Sequence, residues 1–306
     1  MVITVASAPV RVRLLLPTGP VLEGTAVPVR VLGVADRDVV VRAVQVELVR
    51  RETWRYREGN LFGGAITVPA RGEAVVAQVE HPGPGPVAAA GDIDVRTSLL
   101  LPPACLASGA GRLVEVEWRV RAHVHVQGHP PAQATALVTV ASRATDRAEV
   151  LGAEPVVRDR GVAVLHVGQL SSRRLVPGTM LTGVLVVDPW RRFAVTGARV
   201  QLVLREHVHH GRYVFADATK NPDTEQREHE TVVASAALSG SAVLEPGHPV
   251  ELPFGLPVPG RIVLASMDTP EFTVRWLLRA ALPRRLRPAP TLDLELLAGT
   301  ADAPSG

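Results

Sequence analysis

Hydrophobic and polar residues alternate with a period of two along most of the chain, and the clearest example spans residues 114–126. Val114, Val116 and Trp118 alternate there with charged residues, and the same apolar face continues to Val126. Because successive side chains of a strand point to opposite faces of a sheet, this pattern predicts half-buried antiparallel strands. Helical spacing of apolar residues is nearly absent. The other predicted strands are 10–16, 26–34, 44–49, 74–80, 98–101, 134–141, 161–167, 181–187, 200–208, 231–238, 250–253, 271–281 and 292–297.

Glycine and proline punctuate nearly every gap between these strands, with 26 residues of each type in the chain. Many short strands at turn-limited spacing are typical of β-sandwiches and not of βαβ units. The chain has 306 residues, which at roughly 150 residues per domain suggests two domains. The fold class predicted is therefore all-β.

An internal repeat supports the two-domain interpretation. At a constant offset of 154 residues, Gly24-Thr25 matches Gly178-Thr179, and five of the residues in 46–52 match 200–206. Farther along each half, at an offset of 158, residues 116–122 match 274–280, so that Trp118 corresponds to Trp276. We expect both tryptophans to face the core of their domain, since the two halves share one plan.

The polar region around residues 143–160 lacks alternation and marks the boundary between the halves. The predicted domains are 1–148 and 161–298, joined by a linker at 149–160 and followed by a tail at 299–306.

The order of segments in each half carries a family resemblance. A Gly-Thr turn precedes a long Val-rich strand ending in Arg-Glu, then a Leu-Pro element, then a Trp-centred strand; the clearest segments are 250–259 and 273–280. This order resembles the arrestin-like superfamily, including bacterial sporulation-control relatives and the retromer arrestin-like subunit. The resemblance covers most of the chain. It implies two tandem antiparallel β-sandwich domains and a protein partner, and it carries no catalytic residue.

Charge argues against a nucleic-acid ligand. The chain has 33 basic and 30 acidic residues, and Lys220 is its only lysine, so the sequence pI of 9.7 reflects arginine and overstates the basicity. Only 4% of residues are aromatic, which leaves no stacking platform for bases.

Cysteine content and hydropathy indicate the compartment. Cys105 is the only cysteine and follows Pro102-Pro103, where a packed thiol is expected instead of a nucleophile. A single cysteine suits a reducing cytoplasm, and no run approaches the roughly 20 apolar residues of a spanning helix. We expect a cytoplasmic location in a bacterial-type cell, where the high ratio of arginine to lysine hints at a GC-rich genome.

Histidines supply the candidate metal ligands. His207, His209 and His210 are close together, and His229 and Asp217 follow nearby. Two histidines at i and i+2 share one face of a strand, as some metal sites require. The alternative is that these histidines, like His123, His125 and His129, simply occupy solvent-facing positions. No His-Glu-x-x-His motif, cysteine pair or nucleophile-elbow serine is present, so we predict no cofactor and no enzymatic activity.

Two loops are candidates for partner binding. The first is the hairpin tip at 55–64, which carries Leu61 and Phe62 between glycines, although Phe62 has the alternative of folding back on its own sheet. The second contains Arg284, Arg285 and Arg287 and is followed by two prolines; a solvated charged face is its alternative.

The functional hypothesis is a non-enzymatic adaptor or scaffold that binds a protein through strand edges, concave faces and loops. Two alternatives stay open. One is a metal- or ligand-binding β-sandwich with a His-rich hairpin site. The other is a peripheral membrane module that uses Phe62 and the 284–287 loop.

Overall fold

The computed structural model describes residues 8–59, 65–143, 157–158, 162–209 and 227–300. Every regular element in these ranges is a β-strand, which confirms the all-β class. Within the same ranges, no helix is long and apolar enough to cross a membrane.

The strands are numbered in chain order, from the amino-terminal end. They are β1 Val10–Leu15, β2 Val21–Leu22, β3 Ala26–Ala35, β4 Val39–Gly59, β5 Ala65–Val87, β6 Asp92–Leu100, β7 Gly109–Ala110, β8 Val114–Val126, β9 Ala132–Val138, β10 Val140–Ala141, β11 Val157–Arg158, β12 Ala163–Gly168, β13 Arg174–Leu175, β14 Met180–Pro189, β15 Phe193–Val195, β16 Ala198–Val208, β17 Arg227–Ser239, β18 Ala242–Leu244, β19 Val250–Pro257, β20 Met267–Asp268, β21 Phe272–Ala281 and β22 Thr291–Ala298.

The chain divides into two compact units, and neither is one continuous segment. Unit 1 comprises residues 1–53, 71–109 and 115–142, and unit 2 comprises residues 54–70, 110–114 and 143–306. Unit 2 therefore includes two short pieces of chain that come before residue 115. Most of the predicted linker, 149–160, lies outside the described residues.

Unit 1 is built mainly on two sheets. In the three-stranded sheet, β3 lies between β1 and β6. The larger sheet has the order β5-β4-β8-β7, with β9 also paired to β8. Strands β10 and β2 form a short parallel pair.

Unit 2 contains a four-stranded sheet, β11-β12-β14-β19, and a larger sheet of order β13-β22-β21-β16-β17, with β20 also paired to β21. Strands β13 and β22 run parallel, as β10 and β2 do in unit 1, and β15 pairs with β18. This second sheet carries most of the histidine and arginine candidates.

The two repeated tryptophans lie in equivalent, buried positions, as predicted. Trp118 on β8 is 0% exposed and Trp276 on β21 is 1% exposed. Each indole Nε1 donates to a carbonyl twelve residues earlier, that of Leu106 at 2.8 Å and that of Leu264 at 2.9 Å. The correspondence at an offset of 158 residues thus extends to the hydrogen bond that satisfies the buried indole N–H.

The turn that begins each half is also repeated. Gly24 and Gly178 have φ of 72° and 75°, a left-handed conformation that glycine adopts without steric cost. The hydroxyl of Thr25 donates to the carbonyl of Leu22 at 2.6 Å, and the hydroxyl of Thr179 donates to the carbonyl of Val176 at 2.8 Å. Both turns lead into ten-residue strands, β3 and β14, with the same alternation of buried and exposed residues.

Strands β4 and β5 are longer than the sequence pattern predicts, at 21 and 23 residues. The sequence of the Gly-Pro-Gly-Pro segment at 83–86 predicts a loop, and this prediction is wrong because the segment lies inside β5. Among the described strands β5 pairs with β4 alone, and prolines are tolerated in such an edge strand. Gly83 passes so close to the backbone of Val41 that a side chain there would overlap it.

Candidate binding surfaces

The 284–287 segment of unit 2 is a tight turn with exposed residues at its apex. Arg284 and Arg287 pair across it as an antiparallel bridge, which leaves Arg285 and Leu286 at the apex. Leu286 has a φ of 57° and is 95% exposed, more than any other large apolar side chain in the described residues. The three predicted arginines therefore surround an exposed leucine that the sequence analysis did not single out.

A second loop is held against this turn. The guanidinium of Arg284 lies 5.3 Å from the centre of the Phe193 ring. The backbone N–H and the hydroxyl of Thr196 both donate to the carbonyl of Pro283, at 2.8 and 3.1 Å. Trp190, at the start of this second loop, is 46% exposed. We call the two segments 190–193 and 284–287 the arginine tip.

The arginine tip carries an excess of positive charge. Arg192 forms an ion pair with Glu245 at 2.9 Å. No carboxylate of the described residues lies within ion-pair distance of the other arginines of the tip, which are Arg191, Arg284, Arg285 and Arg287.

His207 near the end of β16 and His209, the first residue after this strand, lie next to each other, as the alternation predicts. Their ring centres are 4.8 Å apart, and His207 Nδ1 lies 3.7 Å from Glu228 Oε2 on β17. His209 Nε2 and the hydroxyl of the buried Thr273 are 2.6 Å apart, and that hydroxyl donates to Asp268 Oδ1 at 3.1 Å.

His229, another of the candidate metal ligands, does not lie with His207 and His209. His229 lies opposite Glu206 in the β16–β17 ladder, whereas Glu228 lies opposite His207. Because neighbouring residues of a strand face opposite sides, His229 points away from His207. In the part of the chain that the structure describes, no group of three His, Cys, Asp or Glu side chains is placed to hold a metal ion. His210 and Asp217 lie outside the described residues, as do Leu61 and Phe62.

Cys105 is a buried thiol, as expected from its position after two prolines. Burial raises the pKa of this thiol above its usual value. A thiol with a raised pKa is a poor nucleophile at neutral pH.

The two equivalent edge strands of the units differ in proline content. Strand β6 pairs only with β3 among the described strands, and β19 is likewise the last strand of its sheet, paired with β14. Aligned through their partners, Arg96 of β6 corresponds to Pro253 of β19, and Leu100 corresponds to Pro257. Strand β6 itself contains no proline.

Ladder geometry shows which amides of each strand point outward. The N–H of Leu101 donates to Thr25 and that of Ala35 donates to Gly91, so the odd-numbered residues of β6 bond to β3. The even-numbered residues therefore present their N–H groups at the open edge; these are Asp92, Asp94, Arg96, Ser98 and Leu100.

The equivalent outward positions of β19 are occupied by prolines. The N–H of Val258 donates to Thr179, which puts Pro253 and Pro257 at outward positions in the ladder. Proline has no N–H, so it blocks the addition of another strand. The open edge of β6 therefore keeps all of its outward N–H donors, whereas that of β19 lacks the donors at Pro253 and Pro257.

Glu206 is a buried carboxylate that the sequence analysis recognised only as part of the repeat. Its side chain is 1% exposed and accepts three backbone N–H groups of unit 2, from Arg112 at 2.8 Å, Leu113 at 2.7 Å and Val114 at 2.9 Å. Three charge-assisted hydrogen bonds compensate its desolvation, so Glu206 has a structural explanation.

Comparison with known proteins adds no further constraint. No protein-family model matches the chain, and no curated protein is significantly similar to it.

Proposed function

We propose that the protein is a non-enzymatic adaptor made of two tandem β-sandwiches of arrestin-like plan, and that it binds a protein partner by strand addition to β6. Support for the tandem plan comes from the duplicated features: the tryptophan hydrogen bonds, the Gly-Thr turns and the matched strands β3 and β14. A cytoplasmic location fits the single buried cysteine.

The open edge of β6 carries this proposal. Nine consecutive residues, from Asp92 to Leu100, form a straight register with β3, and five outward N–H groups alternate with outward carbonyls along the free side. An extended peptide that pairs with such an edge gains main-chain hydrogen bonds, and its alternate side chains contact the sheet faces. The prolines at the equivalent positions of β19 show that the same edge is blocked in the other half.

The partner segment should be an extended, proline-free strand with mixed charge. Asp94 of β6 is already paired with Arg30 of β3 by hydrogen bonds of 2.8 and 2.7 Å, and these bonds lower the pKa of Asp94. Asp92 and Arg96 are exposed on the same face of the strand, four residues apart, so a partner strand with a basic and an acidic residue at the same spacing fits this edge.

The test removes a single outward N–H without changing the rest of the strand. Ser98→Pro deletes an amide that points away from β3, and proline is accepted at outward positions of edge strands. Ser98→Thr is the matched control because it keeps the N–H and suits a strand. Proteins captured from a lysate of the source cells by the three tagged chains are compared by quantitative mass spectrometry.

We expect one or more proteins to be captured in near-stoichiometric amounts by the wild type and by Ser98→Thr, and to be depleted about tenfold or more with Ser98→Pro. Equal melting temperatures of the three chains establish that the fold is unchanged. Capture that is equal for all three chains contradicts strand addition at β6.

A further inference from the structure

The arginine tip has features that the stability of the fold does not explain. Leu286 adopts a left-handed φ of 57°, which is unfavourable for a residue with a Cβ, and its side chain is almost fully in water. Glycine or asparagine at this position would form the same turn with less strain. A strained residue that gains nothing from packing points to a role outside the folded core.

Trp190 adds a second exposed apolar group at the same end of unit 2. The other three tryptophans of the chain, Trp54, Trp118 and Trp276, are buried. Tryptophan combines a large apolar ring with a polar N–H, which suits the boundary between hydrocarbon and water.

The charges of the tip complement an anionic surface. Arg191 is next to Trp190 in the chain, and Arg285 and Arg287 flank Leu286; none of these arginines has a carboxylate partner among the described residues. Glu245 is paired with Arg192. Arginine binds phosphate oxygens through paired N–H groups, and basic residues close to an anionic leaflet strengthen binding to it.

The shape of the tip favours a bilayer over a protein as the partner. Leu286 lies at the apex of a tight turn and is almost fully exposed, and a rigid protein partner would need a preformed apolar pocket ringed by acidic groups. A bilayer adapts to a convex apex, because its headgroup region accepts apolar side chains at any lateral position.

From these observations we propose that the arginine tip docks unit 2 onto an anionic lipid bilayer. Leu286 and Trp190 enter the interfacial region, and Arg191, Arg285 and Arg287 bind lipid phosphates. The attachment is peripheral and reversible, since a few apolar side chains and a basic cluster give only modest membrane affinity. It uses a different surface from β6, so it does not depend on the adaptor proposal.

The test is cosedimentation of the full chain with vesicles of phosphatidylcholine, with and without about one third phosphatidylserine. We expect binding to the anionic vesicles, weak binding to the neutral ones, and loss of binding at about 0.5 M salt. The double variant Arg285→Gln, Arg287→Gln should bind about twentyfold more weakly, since each arginine contributes about fivefold at such a surface.

Leu286→Asn separates the apolar contribution from the charge. Asparagine tolerates the left-handed conformation, so the turn is kept, and we expect binding about tenfold weaker because the leucine no longer inserts. Matched controls come from the 260–263 loop. Gly178, two residues before β14, donates its backbone N–H to the carbonyl of Pro259, so the 260–263 loop begins near the amino-terminal end of β14. Trp190 directly follows the carboxy-terminal end of the same strand. Arg261→Gln and Val263→Asn should bind like the wild type.

Trp190 provides an independent readout of insertion. It is the exposed tryptophan of the four, so an emission shift and quenching by brominated phosphatidylserine vesicles should report the tip, and Trp190→Phe should abolish both signals. Soluble glycerophosphoserine in excess should neither shift the emission nor displace the protein from vesicles, which distinguishes a membrane surface from a free headgroup.

Three results would overturn the proposal. One is the absence of sedimentation with anionic vesicles at low salt, and another is equal binding by the wild type and the tip variants. The third is loss of binding to a captured acidic protein, and not to vesicles, when Leu286→Asn is introduced, which would assign the arginine tip to a protein partner.

Discussion

Glu206 shows how one residue organises a loop that is distant from it in sequence. Its two carboxylate oxygens take the N–H groups of Arg112, Leu113 and Val114. Gly111 precedes these residues, and a Cβ there would overlap the carboxylate and Leu264. A buried anion bound by three donors is stable only while all of its hydrogen bonds are made.

Replacing Glu206 by glutamine tests this arrangement. Glu206→Gln keeps the size of the side chain but puts an amide NH2 where a backbone donor needs an acceptor, so we expect the free energy of unfolding to fall by about 2–3 kcal/mol. Urea denaturation measures this change. Glu251→Gln, at an exposed position on β19, is the control and should change stability by less than about 0.5 kcal/mol. A Glu206→Gln protein as stable as the control would contradict the role assigned to the carboxylate.

Sequence alone predicted some of these residues and missed others, for physical reasons. Trp118 and Trp276 were predictable because alternation and the repeat both place them on buried faces. The exposure of Leu286 was not, since an Arg-Arg-Leu-Arg segment does not reveal whether the turn directs its leucine inward or outward. The burial of Glu206 depends on three amides about ninety residues away, and no local pattern encodes them.

An ion network spans four strands of the larger sheet in unit 2. Arg279 on β21 donates two hydrogen bonds to Glu230 on β17 and two to Asp293 on β22, at 2.6 to 2.8 Å. Arg205 on β16 also donates to Glu230 and to Asp293, at 2.8 and 2.9 Å. Hydrogen bonds from Arg279 and Arg205 lower the pKa of Glu230 from its usual 4.5 to about 2.

This shift predicts how stability depends on pH. Because the pKa of Glu230 is lower in the folded chain, its contribution is complete above about pH 4.5 and is lost as the pH falls towards 2. Glu230→Gln should lower the free energy of unfolding at pH 7 by about 1–2 kcal/mol, a value that allows for the screening of a partly exposed pair. Its stability should also decline less steeply than that of the wild type between pH 4.5 and 2.

Chemical denaturation at several pH values measures both effects. Arg279 and Arg205 keep Asp293 as a partner in the variant. If the free energy of unfolding falls equally steeply with decreasing pH in the wild type and in Glu230→Gln, the carboxylate of Glu230 has no lowered pKa.

At the level of strands, alternation located part of every long element, such as 98–100 of β6, but not the way the strands combine. Strand β8 begins and ends at the predicted residues, Val114 and Val126. Period-two patterning identifies the buried face of each strand, and it carries no information on which strands are neighbours. The extension of β5 through Gly83–Pro86 was also unpredictable, because proline and glycine ordinarily indicate a turn.

Over the whole molecule, the repeat extends beyond the residues that match in sequence. Ser108 and Ser266 each donate a backbone N–H, to Val140 and Ala298, and each accepts the N–H of the same partner on its hydroxyl. These partners belong to β10 and β22, each of which lies in a parallel pair. The serine motif therefore ties a loop to a parallel pair in both halves, although the surrounding sequences differ.

The two halves of the chain are nevertheless not independent, because unit 2 includes residues 54–70 and 110–114. Besides the amides bound by Glu206, Trp54 contributes a ring that lies 6.2 Å from that of Phe272. Arg55 joins the two short pieces, since its N–H donates to the carbonyl of Leu113. A chain cut after residue 148 therefore leaves part of unit 2 on the first fragment.

We expect fragments 1–148 and 149–306, coexpressed with a tag on one of them, to purify together as a one-to-one complex. The tagged second fragment alone should aggregate, or melt about 10 °C below the two-fragment complex. In the isolated fragment, Phe272 loses its aromatic neighbour and Glu206 loses its hydrogen-bond donors. Glu206→Ala in the second fragment should weaken the complex about tenfold or more in size-exclusion chromatography at falling concentration, whereas Glu251→Ala should not. If both fragments purify separately as stable monomers, residues 54–70 and 110–114 are dispensable to unit 2, and the buried carboxylate must find its hydrogen bonds elsewhere.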